Sequence, residues 1–170
     1  MDTDVEKILR GVLDREGWPT YGVHPNDKGG PTKGGITLRT LESWRQRRCT
    51  RAELQRLTED EALAILTRRY AEANGIQRVT DLDLRTQLID DAVLSGPFIA
   101  AKDLQEALGV VVDGIIGPQT LAAITRDGVA VVERRMVVAR CLRLARHTQQ
   151  NPDQLVFLVG WLTRSLSFLR

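Results

Sequence analysis

Glu16 is the first residue whose position suggests chemistry. It lies in the stretch LDREGWPTY (13–21), where a helical apolar pattern ends and a Gly/Pro-rich segment begins. The apolar stripe before it consists of Val5, Ile8, Leu9, Val12 and Leu13. One more helical turn reaches Glu16, which predicts a carboxylate on the core-facing side, partly removed from water. The negative end of the helix dipole adds to this effect, and both favour a protonated carboxyl group that could serve as a general acid.

A purely structural role for Glu16 is the alternative. A solvent-facing Glu in a fraying last turn, followed by Gly17 as the glycine that ends the helix, gives the same pattern. The segment that follows, GWPTYGVHPNDKGGPTKGGIT (17–37), favours chemistry because its glycines let a ligand approach the backbone. It also carries Asp27 and Thr37. An acid at a helix end, followed by a loop with a second carboxylate and a hydroxyl group, matches the catalytic groups of a glycoside hydrolase.

Each candidate in this loop also has a structural interpretation. Asp27 could stabilise a glycosyl cation or orient water, or it could form an Asx turn in NDKGG. Thr37 could hold the water, cap the next helix, or do both. Trp18 and Tyr21 are candidate sugar-stacking residues, although aromatic residues near a helix end often belong to the core. Asn26 is the remaining candidate for substrate binding.

Apolar residues recur at helical spacing along most of the chain, so the predicted fold class is mainly α. Residues 17–36 interrupt the helices as a long ordered loop or a short β excursion. Later helices are predicted over 37–47, 83–94 and 129–149. Further helix starts are indicated by the capping boxes Thr50/Glu53 and Thr58/Glu61, by Pro97 and Pro118, and by Asn151-Pro152. The Thr58 helix is predicted to end near residue 75.

Composition leaves the partner class open. The 170 residues are 42% hydrophobic and carry a formal net charge of +2, which allows one domain with a sizeable core. A mildly basic, arginine-rich chain suits an anionic polymer without indicating nucleic acid. The N-terminus is acidic and amphipathic, unlike a secretory signal, and no stretch is long enough to span a bilayer. We therefore expect synthesis in the cytoplasm without a signal peptide.

The cysteines and histidines indicate no metal or cofactor site. Cys49 and Cys141 form no CxxC motif, and reduced thiols are favoured over a disulfide. His24 and His147 have no ligand-spaced partners, so no zinc is expected. The arginines 45, 47, 48 and 51 are interpreted as a solvated helix face, with contact to an anionic envelope surface as the alternative.

Two segments resemble a known family. Glu16-Gly17 followed by HPNDKGGPTKGGIT (24–37) is similar to the N-terminal signature of the family 108 glycoside hydrolases, which are lysozyme-like muramidases. That signature reads Glu-Gly-Gly-Tyr, then Asp-x-Gly-Gly-x-Thr and Gly-Ile-Thr. Residues 90–124 and 157–169 resemble the peptidoglycan-binding region that accompanies this hydrolase in phage endolysins and related secreted muramidases. The resemblance thus covers nearly the whole chain.

The resemblance implies roles for individual residues. The family's catalytic glutamate falls on Glu16, its glycine-rich Asp on Asp27, and its closing threonine on Thr37. This chain departs from the pattern in two places. Glu-Gly-Gly-Tyr is replaced by EGWPTY (16–21), so that the aromatic residue is Trp18 or Tyr21, and the often aromatic position before Gly-Ile-Thr is Gly34.

The resemblance further implies a lysozyme-like helical fold and hydrolysis of the β-1,4 bond between N-acetylmuramic acid and N-acetylglucosamine. Residues 1–90 would form the hydrolase and 91–170 the peptidoglycan-binding part, packed as one compact unit. A monomer acting on glycan strands is expected, as a phage or prophage endolysin released to the wall by a holin. The alternatives are a secretion-linked muramidase, a lytic transglycosylase, and a binding module without activity.

Overall fold

The computed structural model of the chain describes residues 3–22 and 30–169, except the side chain of Thr3. Asn26, Asp27 and His24, which the sequence analysis singled out, therefore lie outside the described residues. The chain divides into two compact units, Met1–Ala71 and Glu72–Arg170.

The first unit combines short helices with a small antiparallel sheet. Helix α1 (Thr3–Arg15) buries Val5, Leu9, Val12 and Leu13, as its apolar stripe predicts. Strands β1 (Tyr21–Gly22), β2 (Thr32–Lys33) and β3 (Ile36–Thr37) form a sheet in that order. Three helices follow: α2 (Leu38–Arg45), α3 (Arg51–Gln55) and α4 (Glu59–Leu66). A π-helical turn, Thr67–Ala71, directly continues α4.

All regular secondary structure in the described part of the second unit is helical. A 3₁₀ segment, Ala73–Arg78, precedes α5 (Leu82–Ser95) and α6 (Pro97–Leu108). Helices α7 (Pro118–Asp127) and α8 (Val129–Gln150) follow, and a 3₁₀ turn, Pro152–Gln154, leads into α9 (Leu155–Leu166). The core lies where α6 packs against α5 and α8.

The mainly α prediction is confirmed, and most predicted helices lie within two residues of their observed bounds. The Thr50/Glu53 capping box is present. At Thr58 only half of the box forms, because the Glu61 carboxylate binds Arg45 instead (2.7 Å). The single helix predicted from Thr58 to about residue 75 is wrong, since the chain changes from α to π pitch after Leu66 and then to a 3₁₀ segment.

The segment DGIIGPQT (113–120) begins with a turn that binds the side chain of Gln105. The buried amide of Gln105 donates to Asp113 Oδ1 (2.7 Å) and to the carbonyl of Ile115 (3.0 Å). The amide oxygen accepts from Gly114 N–H (2.7 Å). Hydrogen bonding by Gln105 and by Ile115 N–H lowers the pKa of Asp113. This turn is therefore held by internal hydrogen bonds.

Ionisable side chains are buried in the core of the second unit. The Arg143 guanidinium binds Asp103 (2.8 Å) and Asp91 (2.9 Å). Burial, and after it the negative charge of Asp91, raises the pKa of Asp103 to about 7. The described ion pairs of this cluster join the side chains of Asp90, Asp91, Asp103, Arg140, Arg143 and Arg164.

Cys49 is buried, Cys141 is half-buried, and both are free thiols. Among the helices described, none combines the length and apolar character needed to cross a membrane.

Candidate active site

Glu16 directly follows the last residue of α1, Arg15. The next residue, Gly17, has φ 77°, the left-handed conformation that ends many helices. Its N–H donates to the carbonyl of Asp14 (3.1 Å), and Trp18 N–H donates to the carbonyl of Leu13 (3.0 Å). These two bonds define a Schellman motif with Gly17 at its C′ position. The prediction that Gly17 is the glycine that ends the helix is thus confirmed for the backbone.

The expected burial of Glu16 is wrong, because its side chain is exposed. Val12 and Leu13, one turn earlier, are buried to 1% exposure. The apolar stripe stops there because the Schellman motif turns the chain away from the helix axis immediately after Glu16. A carboxylate at this point faces the solvent side of the helix end, where a polymer can reach it.

A tight hairpin turn lies beside the end of α1. Strands β2 and β3 pair Lys33 with Ile36, so Gly34 and Gly35 form a two-residue loop. Their φ angles are 52° and 76°, and two consecutive positive values indicate a type I′ turn. The Gly34 N–H donates to the carbonyl of Thr20 (3.3 Å), which ties the turn to the segment after α1.

The two glycines of the turn contact the two key residues of the EGWPTY segment. A Cβ built on Gly35 would lie 3.2 Å from both Cγ and Oε2 of Glu16. A Cβ built on Gly34 would lie 2.5 Å from Cε3 of Trp18. The turn therefore packs against the candidate acid at one residue and against the indole at the other. A Cβ at position 34 would overlap the indole, and a Cβ at position 35 would require Glu16 to shift.

Lys33 fixes the other side of the indole. Its Nζ lies 5.0 Å from the centroid of the Trp18 ring and donates to the carbonyls of Gln55 (2.7 Å) and Leu57 (2.8 Å). Since an ammonium over an indole face is attractive, Lys33 links the ring to the end of α3. Trp18 is half-buried in this arrangement.

Thr37 and Tyr21 lie on the same small sheet. Thr37 caps α2, because its Oγ1 accepts from Thr40 N–H (3.1 Å), and it also forms a hydroxyl–hydroxyl hydrogen bond with Thr40 (2.9 Å). The predicted N-cap is confirmed. Tyr21 is half-buried on β1 and pairs with Lys33. The described part of the chain thus brings Glu16, Trp18, Tyr21 and Thr37 to one sheet and its adjoining helix end.

A cleft of about 430 Å³ begins at the same turn. Gly35 and Thr37 line it from the hairpin, and the π-helical turn lines it with Arg69 and Tyr70. Sequence analysis did not predict these last two residues, nor Arg39, which also lines the cleft. The π pitch that places Arg69 and Tyr70 beside α2 leaves no signal in helical periodicity, although π turns often occur at functional sites.

No cluster of three or more potential metal ligands is found among the described residues. The chemistry that this site supports is that of an exposed carboxyl group, as in proton donation to a leaving oxygen.

Comparison with known proteins gives two family matches. The model of Glycosyl hydrolase 108 matches residues 9–96, and the model of a Predicted Peptidoglycan domain matches residues 99–166. Among solved structures, Brucella abortus SagA is similar, with 30% identity and a TM-score of 0.75 over 100% of this chain and 98% of that chain. No curated protein matches the chain. With a family model that covers residues 9–96 and a similar structure that extends over its full length, the chain belongs to the glycosyl hydrolase 108 family and is a peptidoglycan hydrolase.

Proposed function

We propose that this enzyme hydrolyses the β-1,4 bond between N-acetylmuramic acid and N-acetylglucosamine, with Glu16 as the general acid. The observation that carries the proposal is the position of Glu16, exposed at the end of α1 and in contact with the Gly34-Gly35 turn. That turn continues into the cleft lined by Thr37. A glycan strand lying along the cleft would bring a glycosidic oxygen to the carboxyl group.

In this mechanism Glu16 protonates the departing oxygen while positive charge develops on the sugar ring. Asp27, assigned by the family resemblance, would stabilise that charge or orient the attacking water. Thr37 would hold the water through its hydroxyl while continuing to cap α2. Tyr21, Trp18 and Asn26 remain the proposed substrate contacts.

The test uses purified sacculi, with product masses determined for wild type, Glu16→Gln and Asp14→Asn. Asp14 is a matched control because it is an exposed carboxylate on the same helix end. We expect reducing N-acetylmuramic acid ends from wild type and from Asp14→Asn, and almost none from Glu16→Gln. Undiminished lysis by Glu16→Gln would overturn the assignment.

The products also separate the rival activities. A lytic transglycosylase would release anhydro sugars, which are lighter by one water, and a glucosaminidase would leave reducing N-acetylglucosamine. A binding module would sediment with sacculi without releasing fragments. The match of the first segment to a hydrolase family favours hydrolysis.

For the biological role, we propose an endolysin that acts on the wall after release from the cytoplasm by a holin. The presence of a hydrolase domain and a peptidoglycan domain in the same chain supports action on the cell wall. Expression in a bacterial cytoplasm should cause lysis only when a holin is co-expressed. A gene position beside a secretion locus, with no lysis under those conditions, would favour the wall-remodelling alternative.

A further inference from the structure

Two arginines that line the cleft are available for an anionic ligand. Arg39 on α2 and Arg69 on the π turn are both exposed. The described carboxylates all lie beyond salt-bridge distance of either guanidinium, and none lines the cleft. Arg10 and Arg45 of the same unit, in contrast, form ion pairs, with Glu6 (2.8 Å) and Glu61 (2.7 Å) respectively. Among the described residues, no carboxylate neutralises the two guanidinium groups at the cleft.

Arg69 is held in place by its neighbours. Its Nη1 donates to Thr40 Oγ1 (2.9 Å), and its Cζ lies 5.5 Å from the centroid of the Tyr70 ring. One hydrogen bond uses only one of the five N–H donors of a guanidinium, so a donor pair remains for a carboxylate. Holding the side chain in advance reduces the entropy lost when a ligand binds.

The location of the cleft limits what the anion can be. Gly35 lies against Glu16 and also lines the cleft. A group attached to the sugar whose bond is cut is therefore the ligand most able to reach the arginines. In peptidoglycan that group is the peptide stem on the lactyl ether of the muramic acid, and its carboxylates suit the planar, bidentate donors of arginine.

We propose that this cleft is a subsite for carboxylate groups of the peptide stem, with Arg39 and Arg69 as the residues that bind them. The proposal rests on the proposed function for its choice of sugar polymer. It predicts that the enzyme distinguishes stems with free carboxylates from stems whose carboxylates are amidated, although both have nearly the same size and shape.

Binding is tested with a disaccharide muropeptide in which N-acetylglucosamine precedes muramic acid, because this compound lacks the bond to be cut. The free and amidated forms are titrated into wild type, Arg39→Gln, Arg69→Gln and the double variant, with NMR shifts as the readout. Arg48→Gln is the matched control, since its side chain is 97% exposed, lies 3.8 Å from Glu42 and does not line the cleft.

Wild type and Arg48→Gln should bind the free form about tenfold more tightly than the amidated form. The double variant should bind both forms equally, at the affinity of wild type for the amidated form. Equal affinity of wild type for both forms would overturn the subsite. An equal loss of affinity for both forms in the double variant would also overturn it, because such a loss indicates a general electrostatic or structural effect.

Turnover on glycan chains separates this proposal from the proposed function. Chains with free and with amidated stems are compared, and the double variant should raise KM for the free-stem chains with kcat unchanged. If wild type discriminates in binding but cuts neither chain, the proposed function fails and the subsite stands. If it cuts both with equal KM and binds both equally, the subsite fails and the hydrolase stands.

Discussion

Replacing Gly35 with alanine tests whether the hairpin turn positions the catalytic acid. The new Cβ would lie 3.2 Å from Glu16 Cγ and Oε2, whereas non-bonded carbon atoms prefer about 3.5–4.0 Å. The carboxyl group must therefore move by a few tenths of an ångström. An ångström of misplacement can cost about a hundredfold in rate, so we expect kcat to fall roughly threefold to fivefold.

The same substitution has a backbone cost that must be separated from this effect. Gly35 has φ 76°, and a residue with a Cβ loses about 1–2 kcal/mol in the left-handed region. Gly109→Ala supplies the control, because Gly109 has φ 64° and no atom lies within 4 Å of its built Cβ. Gly109→Ala should lower the free energy of unfolding by about as much as Gly35→Ala does, but it should keep the kcat of wild type.

The assay combines denaturant unfolding with kcat measured on soluble glycan chains. Only kcat reports on Glu16, since Gly35 also lines the cleft and the added methyl group could change KM. The reasoning is refuted if Gly35→Ala matches Gly109→Ala in stability and keeps the kcat of wild type. In that case the turn does not set the position of the acid.

Three further outcomes are expected. Gly34→Ala should lower the free energy of unfolding in wild type by at least about 1 kcal/mol more than it does in a Trp18→Ala background, because the new Cβ would lie 2.5 Å from the indole. A double-mutant cycle measured by urea unfolding tests this, and additive effects of the two substitutions would contradict the contact. Thr37→Ala should cost about 1 kcal/mol through loss of the cap, whereas Thr37→Asn should retain the cap and lose only activity; full activity in Thr37→Asn would exclude a catalytic hydroxyl. Burial raises the pKa of Asp103 to about 7, so the protonated carboxyl group stabilises the folded state. This stabilisation is complete below pH 4 and is lost as the pH rises through 7, and it amounts to at most about 4 kcal/mol. Unfolding titrations of Asp103→Asn should show a flatter fall over this pH range, and an unchanged slope would contradict the shift.

Local sequence signals predicted most helix bounds and the residue at which α1 ends. Caps and prolines act over a few residues, so the Thr50/Glu53 box and the Pro97 start can be recognised without tertiary context. The Gly34-Gly35 pair also carries a hairpin signal, within the segment predicted as a long loop or a short β excursion. The structure makes it the element that contacts Glu16.

The exposure of Glu16 and the composition of the cleft could not be predicted in this way. A prediction from periodicity assumes that the helix continues. In the structure the Schellman motif ends the helix, and the buried apolar stripe stops one turn before Glu16. Arg69 and Tyr70 reach the cleft through a π turn, whose pitch does not follow the 3.6-residue period. Both errors arise where the backbone leaves regular α geometry, which is also where the site lies.

The two departures from the family pattern are related in space. EGWPTY (16–21) stands where the signature has Glu-Gly-Gly-Tyr, which places Trp18 after the end of α1. Gly34 stands in the turn at a position that is often aromatic in the signature. Because a Cβ at position 34 would lie 2.5 Å from the Trp18 ring, an aromatic residue there could not coexist with this tryptophan. The ring beside the turn is thus contributed from the helix end in this chain. With Lys33 Nζ 5.0 Å from its centroid, the indole forms part of the wall that holds the turn against Glu16, and a sugar can contact only the part of the ring that remains exposed.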